Sequence, residues 1–303
     1  MQTQVGRIAI VTGAGRGVGR EEALLLAAEG ANVVVNDLGG SGDGKGADTG
    51  PAQQVVDEII AAGGAAVANT DDVATTDGAQ NLIDTAVNTF GGLDILVNNA
   101  GILRDRMLVN MSEDDWDSIM RVHLRGHFLT SRAAARYWRN ESKEGRGRAA
   151  ALVNTSSTSG LFGNAGQTNY GAAKSGIASF TSIANTELER YGVRANSVSP
   201  SARTRLTMTV PGAEERYEQR AAAATAEFDE DDPANIAPFV AYLATADCPI
   251  AGRHFFVRGG KVYLFQPWAI VDSISADHRW TVEELQKEAA HFADFPFSLN
   301  KPY

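Results

Sequence analysis

The chain has 303 residues, of which 44% are hydrophobic and 21% are charged, and its formal net charge is −10. This length suffices for one large α/β domain with a buried core, and an acidic chain without a basic cluster argues against nucleic-acid binding. No apolar run is long enough to span a membrane. The single cysteine, Cys248, cannot form an internal disulfide, and neither cysteines nor histidines show metal-ligand spacing. Since the N-terminus lacks a secretory signal, we expect a cytoplasmic protein without a metal.

Strand-like and helix-like segments alternate along the chain. Short β-branched and apolar runs predict seven strands, at residues 7–12, 32–36, 65–69, 93–98, 149–155, 193–198 and 253–257. Helical composition with glycine or proline at the ends predicts helices at residues 17–30, 51–63, 75–90, 169–191 and 233–246, and one long helix or two at residues 112–140. Parallel strands need long crossover connections, so this alternation predicts a doubly wound α/β fold, with a seven-stranded parallel sheet and helices on both faces.

Two segments depart from this alternation. Residues 38–50 are rich in glycine and aspartate, which predicts a loop. Residues 261–303 follow the last strand, and Thr281 and Glu284 form a capping box before a helix at residues 285–292. We expect one domain over residues 1–260 and a C-terminal extension over residues 261–303. Its aromatic side chains indicate packing on the same domain or on a neighbouring subunit, where it would form an interface or cover an active site. These aromatics are Tyr263, Phe265, Trp268, Trp280, Phe292, Phe295, Phe297 and Tyr303.

A glycine-rich segment, Thr12-Gly-Ala-Gly-Arg-Gly-Val-Gly19, lies between the first strand and the first helix. Such glycines let the backbone turn tightly and approach a pyrophosphate, whose charge the helix N-terminus meets. Asp37 ends the second strand, where a carboxylate accepts hydrogen bonds from the adenosine ribose and repels a 2′-phosphate. The pattern predicts a Rossmann-like dinucleotide site that takes NAD in preference to NADP. Two readings oppose it: Asp37 only starts a turn, or Arg16 helps to hold a 2′-phosphate.

Tyr170 and Lys174 open the helix after the fifth strand. Residues four apart share a helix face, so the ammonium would favour the phenolate and lower the pKa of the tyrosine. Such a tyrosine can transfer a proton near neutral pH. Hydroxyls at residues 155–159 and amides at residues 98–99 follow the fifth and fourth strands. Because ligands bind at the carboxyl ends of parallel strands, we expect these groups to form one site.

The glycine segment, residues 98–101, Ser157 and Tyr170–Lys174, in this order and spacing, resemble the short-chain dehydrogenase/reductase family over about residues 5–260. The resemblance implies an oxidoreductase acting on a secondary alcohol, in which Tyr170 is the general acid/base. It also implies that Lys174 binds the nicotinamide ribose, that Ser157 polarises the reacting oxygen, and that the protein is a homodimer or homotetramer. The implied cofactor contacts are Gly13, Arg16, Gly17, Val18, Gly19, Asp37, Asp72, Val73, Asn99, Ala100, Gly101, Tyr170, Lys174 and Pro200.

The chain departs from the family pattern at two positions. His123 occupies the place of the family's fourth catalytic residue, an asparagine, so its role is left unassigned. After the sixth strand, Pro200-Ser201 replaces the usual Pro-Gly. The loop that follows, which contacts the nicotinamide in the family, is therefore expected to have a different shape.

Several segments resemble one branch of the family, the (3R)-hydroxyacyl-CoA dehydrogenase part of peroxisomal multifunctional enzyme type 2, also called 17β-hydroxysteroid dehydrogenase type 4. They are residues 36–40, 98–106, 114–117, 122–126, 163–170 and 200–207. The resemblance implies oxidation of a 3-hydroxyacyl-CoA with NAD, beneath a mobile lid at residues 206–220. Arg104, Arg106, Arg203 and Arg205 would meet a CoA phosphate or make surface salt bridges. Two alternatives are a hydroxysteroid or free-alcohol dehydrogenase without CoA, and a nucleotide-binding protein without turnover. The complete set of Ser157, Tyr170 and Lys174 argues against the last.

Overall fold

One open sheet with the strand order β3-β2-β1-β4-β5-β6-β7-β8 organises the fold. A computed structural model describes residues 2–210, 212–223, 228–266 and 268–294. Strands β1 to β7 pair in parallel, whereas β8 pairs antiparallel to β7. The strands are β1 (Ile8–Thr12), β2 (Asn32–Asn36), β3 (Ala65–Asn69), β4 (Ile95–Asn98), β5 (Ala150–Thr155), β6 (Val193–Pro200), β7 (His254–Arg258) and β8 (Lys261–Phe265).

Helices connect the parallel strands, as the alternation predicted. The long predicted helix at residues 112–140 divides into two α-helices joined by a π-helix, Met120–Arg125. The α-helices within the described residues are α1 (Gly17–Ala28), α2 (Gly50–Ala61), α3 (Thr76–Phe90), α4 (Glu113–Ile119), α5 (Gly126–Lys143), α6 (Thr158–Phe162), α7 (Thr168–Leu188), α8 (Ala213–Ala223), α9 (Ala237–Ala244) and α10 (Val282–Glu288). None of the helices in this part of the chain is both long and apolar enough to cross a bilayer.

The predicted Rossmann-like doubly wound fold is confirmed, with a correction to the strand count. The seven predicted strands are present in parallel, and β8 adds an eighth that we did not predict. A two-residue turn at Gly259 and Gly260 reverses the chain, with Gly259 at a φ of +51°. Such tight turns favour an antiparallel hairpin. The structure accordingly divides into compact units after Phe265 rather than after Gly260.

Both faces of the central strands are buried, which explains why β1, β2 and β4 are almost wholly apolar. Successive residues of a strand point to opposite faces. In β2, Val33 and Val35 belong to one core cluster, and Val34 belongs to the other. The helices that cover the faces therefore hold the strands in a fixed register and bring their carboxyl ends to one edge.

The second compact unit comprises Gln266–Tyr303. Its predicted capping box is present: the Thr281 hydroxyl accepts from the Glu284 amide, and the Glu284 carboxylate accepts from Thr281. The α-helix that follows ends at Glu288, and a 3-10 turn covers Ala290–Asp294. Phe295, Phe297 and Tyr303, which contributed to the predicted packing surface, lie outside the described residues.

Candidate active site

The glycine segment turns from β1 into α1 and packs directly against residues 99–100. Gly13 and Gly17 have φ values of +64° and +57°, which favour glycine over any residue with a Cβ. A Cβ on Gly13 would lie 2.7 Å from the Cα of Ala100, and one on Gly19 would lie 2.3 Å from Nδ2 of Asn99. Two backbone segments from different strands thus approach each other at a distance that only glycine permits.

Asp37 joins the glycine segment to the turn that follows β2. Its Oδ2 accepts a hydrogen bond from the Gly15 amide at 2.8 Å, and its Oδ1 accepts one from the Gly39 amide at 2.7 Å. The carboxylate therefore starts a turn, as one interpretation of the sequence had it, and it also contacts the glycine segment. Carboxylate oxygens have about four acceptor positions in all, so capacity remains for ribose hydroxyls.

A single cleft at the carboxyl ends of the strands brings the predicted cofactor residues together. Gly19 is the exception: it packs behind the cleft against Asn99 and the Gly13 carbonyl. These residues fit a dinucleotide, because the glycine segment and the N-terminus of α1 suit a pyrophosphate and Asp37 suits a ribose. The predicted residues on the cleft wall are Gly13, Arg16, Gly17, Val18, Asp37, Asp72, Val73, Asn99, Ala100, Gly101, Tyr170, Lys174 and Pro200.

Tyr170 and Lys174 line one side of this cleft together with Thr155 and Ser156, and Ser157 lies beside Tyr170. Tyr170 and Lys174 lie one turn apart on α7, with the lysine Nζ 5.6 Å from the centre of the tyrosine ring. The Nζ donates to the carbonyl of Thr155 at 2.6 Å. Ser157 caps the short helix α6, where its Oγ accepts from the Ser159 amide at 3.1 Å. The side chains of Ser157 and Tyr170 are hydrogen-bonded to each other.

The pKa of Tyr170 differs in direction from the sequence-based prediction. Exclusion of water from the phenol raises the pKa of Tyr170 to about 12, although the hydrogen bond with Ser157 opposes this rise. The charge of Asp105 raises it further. Burial also lowers the pKa of Lys174 to about 7. The expected lowering of the tyrosine pKa by a neighbouring ammonium is therefore outweighed by desolvation of the phenol.

His123, whose role the sequence left open, forms a wall of the site. It lies on the π-helix and is only 1% exposed. Its Nε2 is 2.8 Å from the carbonyl oxygen of Ile102, and its ring meets the Tyr170 ring edge-on at 5.1 Å between centres. Burial and the charge of Lys174 hold the pKa of His123 well below its usual value. A neutral imidazole thus packs against the reacting tyrosine.

The loop at residues 38–50 also borders the cleft, which its composition did not predict. The Gly42 carbonyl accepts from the Leu103 amide at 3.0 Å, and Arg104 Nε donates to the Asp43 carbonyl at 2.9 Å. Glycine content indicated a loop, but only these contacts with the segment after β4 fix its path across the cleft.

The four arginines proposed for a CoA phosphate fall into two pairs. Arg104 forms an ion pair with Asp114, and Arg203 forms one with Asp229 at 2.6 Å. Arg106 and Arg205 form no ion pair with any described residue; they donate to the carbonyls of Asp105 and Gly40 at 3.3 and 3.2 Å. The salt-bridge reading therefore holds for the first pair and not for the second.

Comparison with known proteins gives the family. The sequence model described as short chain dehydrogenase matches residues 7–215. The chain belongs to the short-chain dehydrogenase/reductase family. Hydroxyacyl-CoA dehydrogenase ChsB1 of Mycobacterium tuberculosis is 46% identical over 288 residues, which are 92% of this chain and 86% of that protein. Peroxisomal multifunctional enzyme type 2 of Drosophila melanogaster is 42% identical over 292 residues, which are 95% of this chain but 45% of that protein.

Solved structures agree with this assignment. A short chain dehydrogenase from Mycobacterium avium has a TM-score of 0.84 and 46% identity, with 96% of both chains covered. A short chain dehydrogenase from Burkholderia cenocepacia in complex with NADP has a TM-score of 0.71 and 29% identity, with 85% of this chain and 98% of that chain covered. The predicted family and the resemblance to multifunctional enzyme type 2 are both confirmed, and the protein is an oxidoreductase of the nicotinamide-dependent kind.

Proposed function

We propose that this short-chain dehydrogenase uses NAD to interconvert a 3-hydroxyacyl-CoA, including a steroid-derived one, and its 3-ketoacyl-CoA. The observation that carries the proposal is the hydrogen bond between Ser157 and Tyr170 beside a cleft that Tyr170 and Lys174 line and whose other end holds Asp37. Relatives named hydroxyacyl-CoA dehydrogenase and multifunctional enzyme type 2, at 46% and 42% identity, support the substrate class.

In the proposed reaction the bound nicotinamide supplies the hydride acceptor. Tyr170 takes the proton of the substrate hydroxyl on its phenolate oxygen during oxidation and returns it during reduction. Ser157 donates a hydrogen bond to the reacting oxygen, which holds that oxygen beside the phenol. Lys174 is anchored by the Thr155 carbonyl and presents its remaining N–H groups to the ribose and to Tyr170.

The pH dependence follows from the state of Tyr170. With its pKa raised to about 12, the phenolate required for oxidation is a minor species at neutral pH. We expect kcat/KM for alcohol oxidation to rise with pH, by up to about tenfold per unit, whereas ketone reduction uses the phenol already present. Paired pH profiles in both directions measure this. An oxidation rate that is flat between neutral and alkaline pH would contradict the assignment of Tyr170.

NAD rather than NADP is supported by the position of the Asp37 carboxylate. A 2′-phosphate beside it would meet a like charge that two backbone amides already hold in place. Arg16 lines the same end of the cleft and favours the opposite choice, and the Burkholderia structure is a complex with NADP. We give Asp37 the greater weight because its position is fixed by two hydrogen bonds, whereas Arg16 is exposed.

A free alcohol or hydroxysteroid, without CoA, is the second candidate. It is favoured by the pairing of Arg104 with Asp114 and of Arg203 with Asp229, which leaves two of the four arginines for a phosphate. A protein without turnover is disfavoured by the shared geometry of Ser157 and Tyr170.

We also propose a homodimer or homotetramer in the cytoplasm. Exposed apolar side chains on α5 and α7 support self-association: Phe128 is 43% exposed and Ile183 is 57% exposed. The C-terminal extension is proposed to contribute to an interface or to cover a site. Removal of residues 266–303 that left both the molecular mass in light scattering and the activity unchanged would contradict a role for the extension. Cell fractionation tests the location.

The decisive experiment compares matched substrates with matched cofactors. A panel of 3-hydroxyacyl-CoA thioesters, their free 3-hydroxy acids and hydroxysteroids is assayed with NAD and with NADP. We expect NAD with a CoA thioester to give the highest kcat/KM. Free alcohols that turn over as efficiently as thioesters would favour the second candidate, and no turnover on the whole panel would overturn both.

A further inference from the structure

Asp105 is a half-buried carboxylate close to the site, and the proposed reaction does not use it. It belongs to the segment after β4 and lies between Arg104, whose side chain turns to Asp114, and the exposed Arg106. Its Oδ2 accepts from Nε2 of Gln167 at 2.8 Å. Its Oδ1 is shielded from solvent and has no hydrogen-bond partner among the described residues. A carboxylate in such surroundings is costly unless it has a role in organising its neighbours.

Gln167 carries the contact from Asp105 onward to Ser157. Gln167 is 5% exposed and stands immediately before α7, the helix that bears Tyr170. Its amide nitrogen points to Asp105, so its Oε1 faces the other way and accepts from the Ser159 hydroxyl at 2.7 Å. The Ser159 amide in turn donates to the Ser157 Oγ at 3.1 Å. The side chains of Asp105, Gln167 and Ser159 are therefore joined by hydrogen bonds, and the backbone amide of Ser159 completes the line to the Ser157 hydroxyl beside Tyr170.

The backbone reinforces this line. The Arg106 amide donates to the Gly166 carbonyl at 2.8 Å, and residues 106 and 167 form a bridge between their two segments. Nδ2 of Asn169 donates to the carbonyl of Arg104 at 3.1 Å. The segment after β4 and the start of α7 are thus held together on both sides of Asp105.

Charged and titratable groups face Tyr170 from three elements. Lys174 lies one turn along α7, the neutral His123 packs edge-on from the π-helix, and the charge of Asp105 acts on the phenol from the segment after β4. Asp105 is the acidic member of this set, and its charge opposes ionisation of the phenol. Burial raises the pKa of Asp105, while the hydrogen bond from Gln167 lowers it and favours the carboxylate.

We propose that Asp105 is a positioning residue that orients the Ser157 hydroxyl through Gln167 and Ser159. Its negative charge has a second, separable effect, because it adds to the burial that favours the phenol form of Tyr170. The proposal rests on the proposed function, since it takes Tyr170 as the group that exchanges the substrate proton. The charge shifts the rise in kcat/KM for alcohol oxidation to higher pH. The hydrogen bonds keep the Ser157 hydroxyl directed at the reacting oxygen.

Three variants separate the two effects. Asp105→Asn removes the charge but retains an oxygen that accepts from Gln167. Asp105→Ala removes both the charge and the acceptor, and Gln167→Ala breaks the line of hydrogen bonds while leaving the charge. Asp117→Asn is the matched control, because this exposed aspartate on α4 loses the same charge away from the line.

The pH profile of kcat/KM for alcohol oxidation measures the effect of the charge. We expect the acid limb of Asp105→Asn and Asp105→Ala to move to lower pH by roughly 0.5–1 unit, which makes oxidation about threefold to tenfold faster on that limb. Gln167→Ala and Asp117→Asn should keep the wild-type limb. The effect on position appears in kcat for ketone reduction near neutral pH, where Tyr170 is already the phenol: Asp105→Ala and Gln167→Ala should fall roughly tenfold and Asp105→Asn should be close to wild type.

A second measurement does not depend on turnover. Ultraviolet titration of tyrosinate, taken as the difference between the wild type and Tyr170→Phe, is repeated in the Asp105→Asn background. The midpoint assigned to Tyr170 should fall when the charge is removed. An unchanged titration midpoint together with an unchanged acid limb would overturn the charge effect. A wild-type kcat for ketone reduction in Gln167→Ala would overturn the positioning effect. Failure of the proposed function is distinct: the wild type would then turn over no CoA thioester, whatever Asp105 does to the titration.

Discussion

The cofactor end of the cleft and its exposed rim are built differently. At the cofactor end, backbone meets backbone: the glycine segment packs against residues 99–100, and Asp37 is held by two amides. The rim instead carries long side chains, such as Arg205, whose guanidinium is exposed and donates to the Gly40 carbonyl. Close backbone packing dictates residue type, whereas an exposed rim tolerates many residues. The cofactor end is therefore the more predictable of the two, and substitutions there should have the larger effects.

The largest effect is expected at Tyr170, the group that exchanges the substrate proton. Tyr170→Phe keeps the ring that packs against His123 but removes the oxygen that exchanges the proton. We expect kcat to fall by about 10²–10⁴-fold, the range typical of general acid–base catalysis, with cofactor affinity little changed. Steady-state kinetics and fluorescence titration with NADH measure the two quantities. Tyr242→Phe, an exposed tyrosine on α9, is the control, and a Tyr170→Phe protein with wild-type kcat would remove Tyr170 from the mechanism.

Asp37 tests the cofactor end alone. Asp37→Asn keeps an acceptor oxygen for one of the Gly15 and Gly39 amides but removes the charge. A hydrogen bond to a charged group contributes about 1.5–3 kcal/mol, so the preference for NAD over NADP in kcat/KM should fall roughly 10- to 100-fold. Arg16→Ala should raise the same preference by weakening NADP. If Asp37→Asn leaves the ratio unchanged, the carboxylate serves only the turn.

Most of the fold could be predicted from the sequence, because strands and helices are marked by patterns within short segments. Apolar runs of strand length, broken by helical segments, predicted seven strands, and the structure has each of them. Strand β8 was missed because its side chains alternate between exposed and half-buried, and because the hairpin with β7 depends on a turn at Gly259. The split at the π-helix was left open for the same kind of reason, since one extra residue per turn leaves no clear mark on periodicity.

The residues of the site also differ in how well the sequence predicted them. Glycines and the Tyr170–Lys174 pair have a fixed spacing, and the structure gathers them around one cleft. Asp105 and Gln167 were missed, because 62 positions separate them and only the folded chain joins them. The pKa of Tyr170 was predicted in the wrong direction, because the sequence shows the neighbouring lysine but not the loss of water around the phenol.

At Gly19, at the cofactor end, close packing and intrinsic helix propensity predict opposite effects of an alanine substitution on stability. Gly19 lies in the first turn of α1, where alanine is intrinsically better than glycine by about 1 kcal/mol. A Cβ there would nevertheless lie 2.5 Å from the Gly13 carbonyl oxygen. We expect Gly19→Ala to lower the free energy of unfolding by roughly 1–3 kcal/mol, as overpacking does, and to weaken NADH binding. Chemical denaturation measures the first. Gly260→Ala is the control: no atom lies within 4 Å of the added Cβ, so the free energy of unfolding should change little. A Gly19→Ala protein that is more stable than the wild type would show that helix propensity outweighs the close contact.

The smallest effect is expected on the exposed rim of the cleft, at Arg205. Its guanidinium has no carboxylate partner among the described residues, so it can approach a phosphate without first breaking an ion pair. Exposed ion pairs contribute about 0.2–1 kcal/mol, so Arg205→Ala should raise KM for a CoA thioester by at most about fivefold and leave KM for a free alcohol unchanged. The effect should shrink in high salt, because exposed charges are screened. Arg203→Ala, which removes a guanidinium already paired with Asp229, is the control and should change neither KM. An equal rise in KM for the thioester and for the free alcohol would mean that Arg205 shapes the rim without recognising a phosphate. The difference between the cofactor end and the rim would then rest on backbone packing alone.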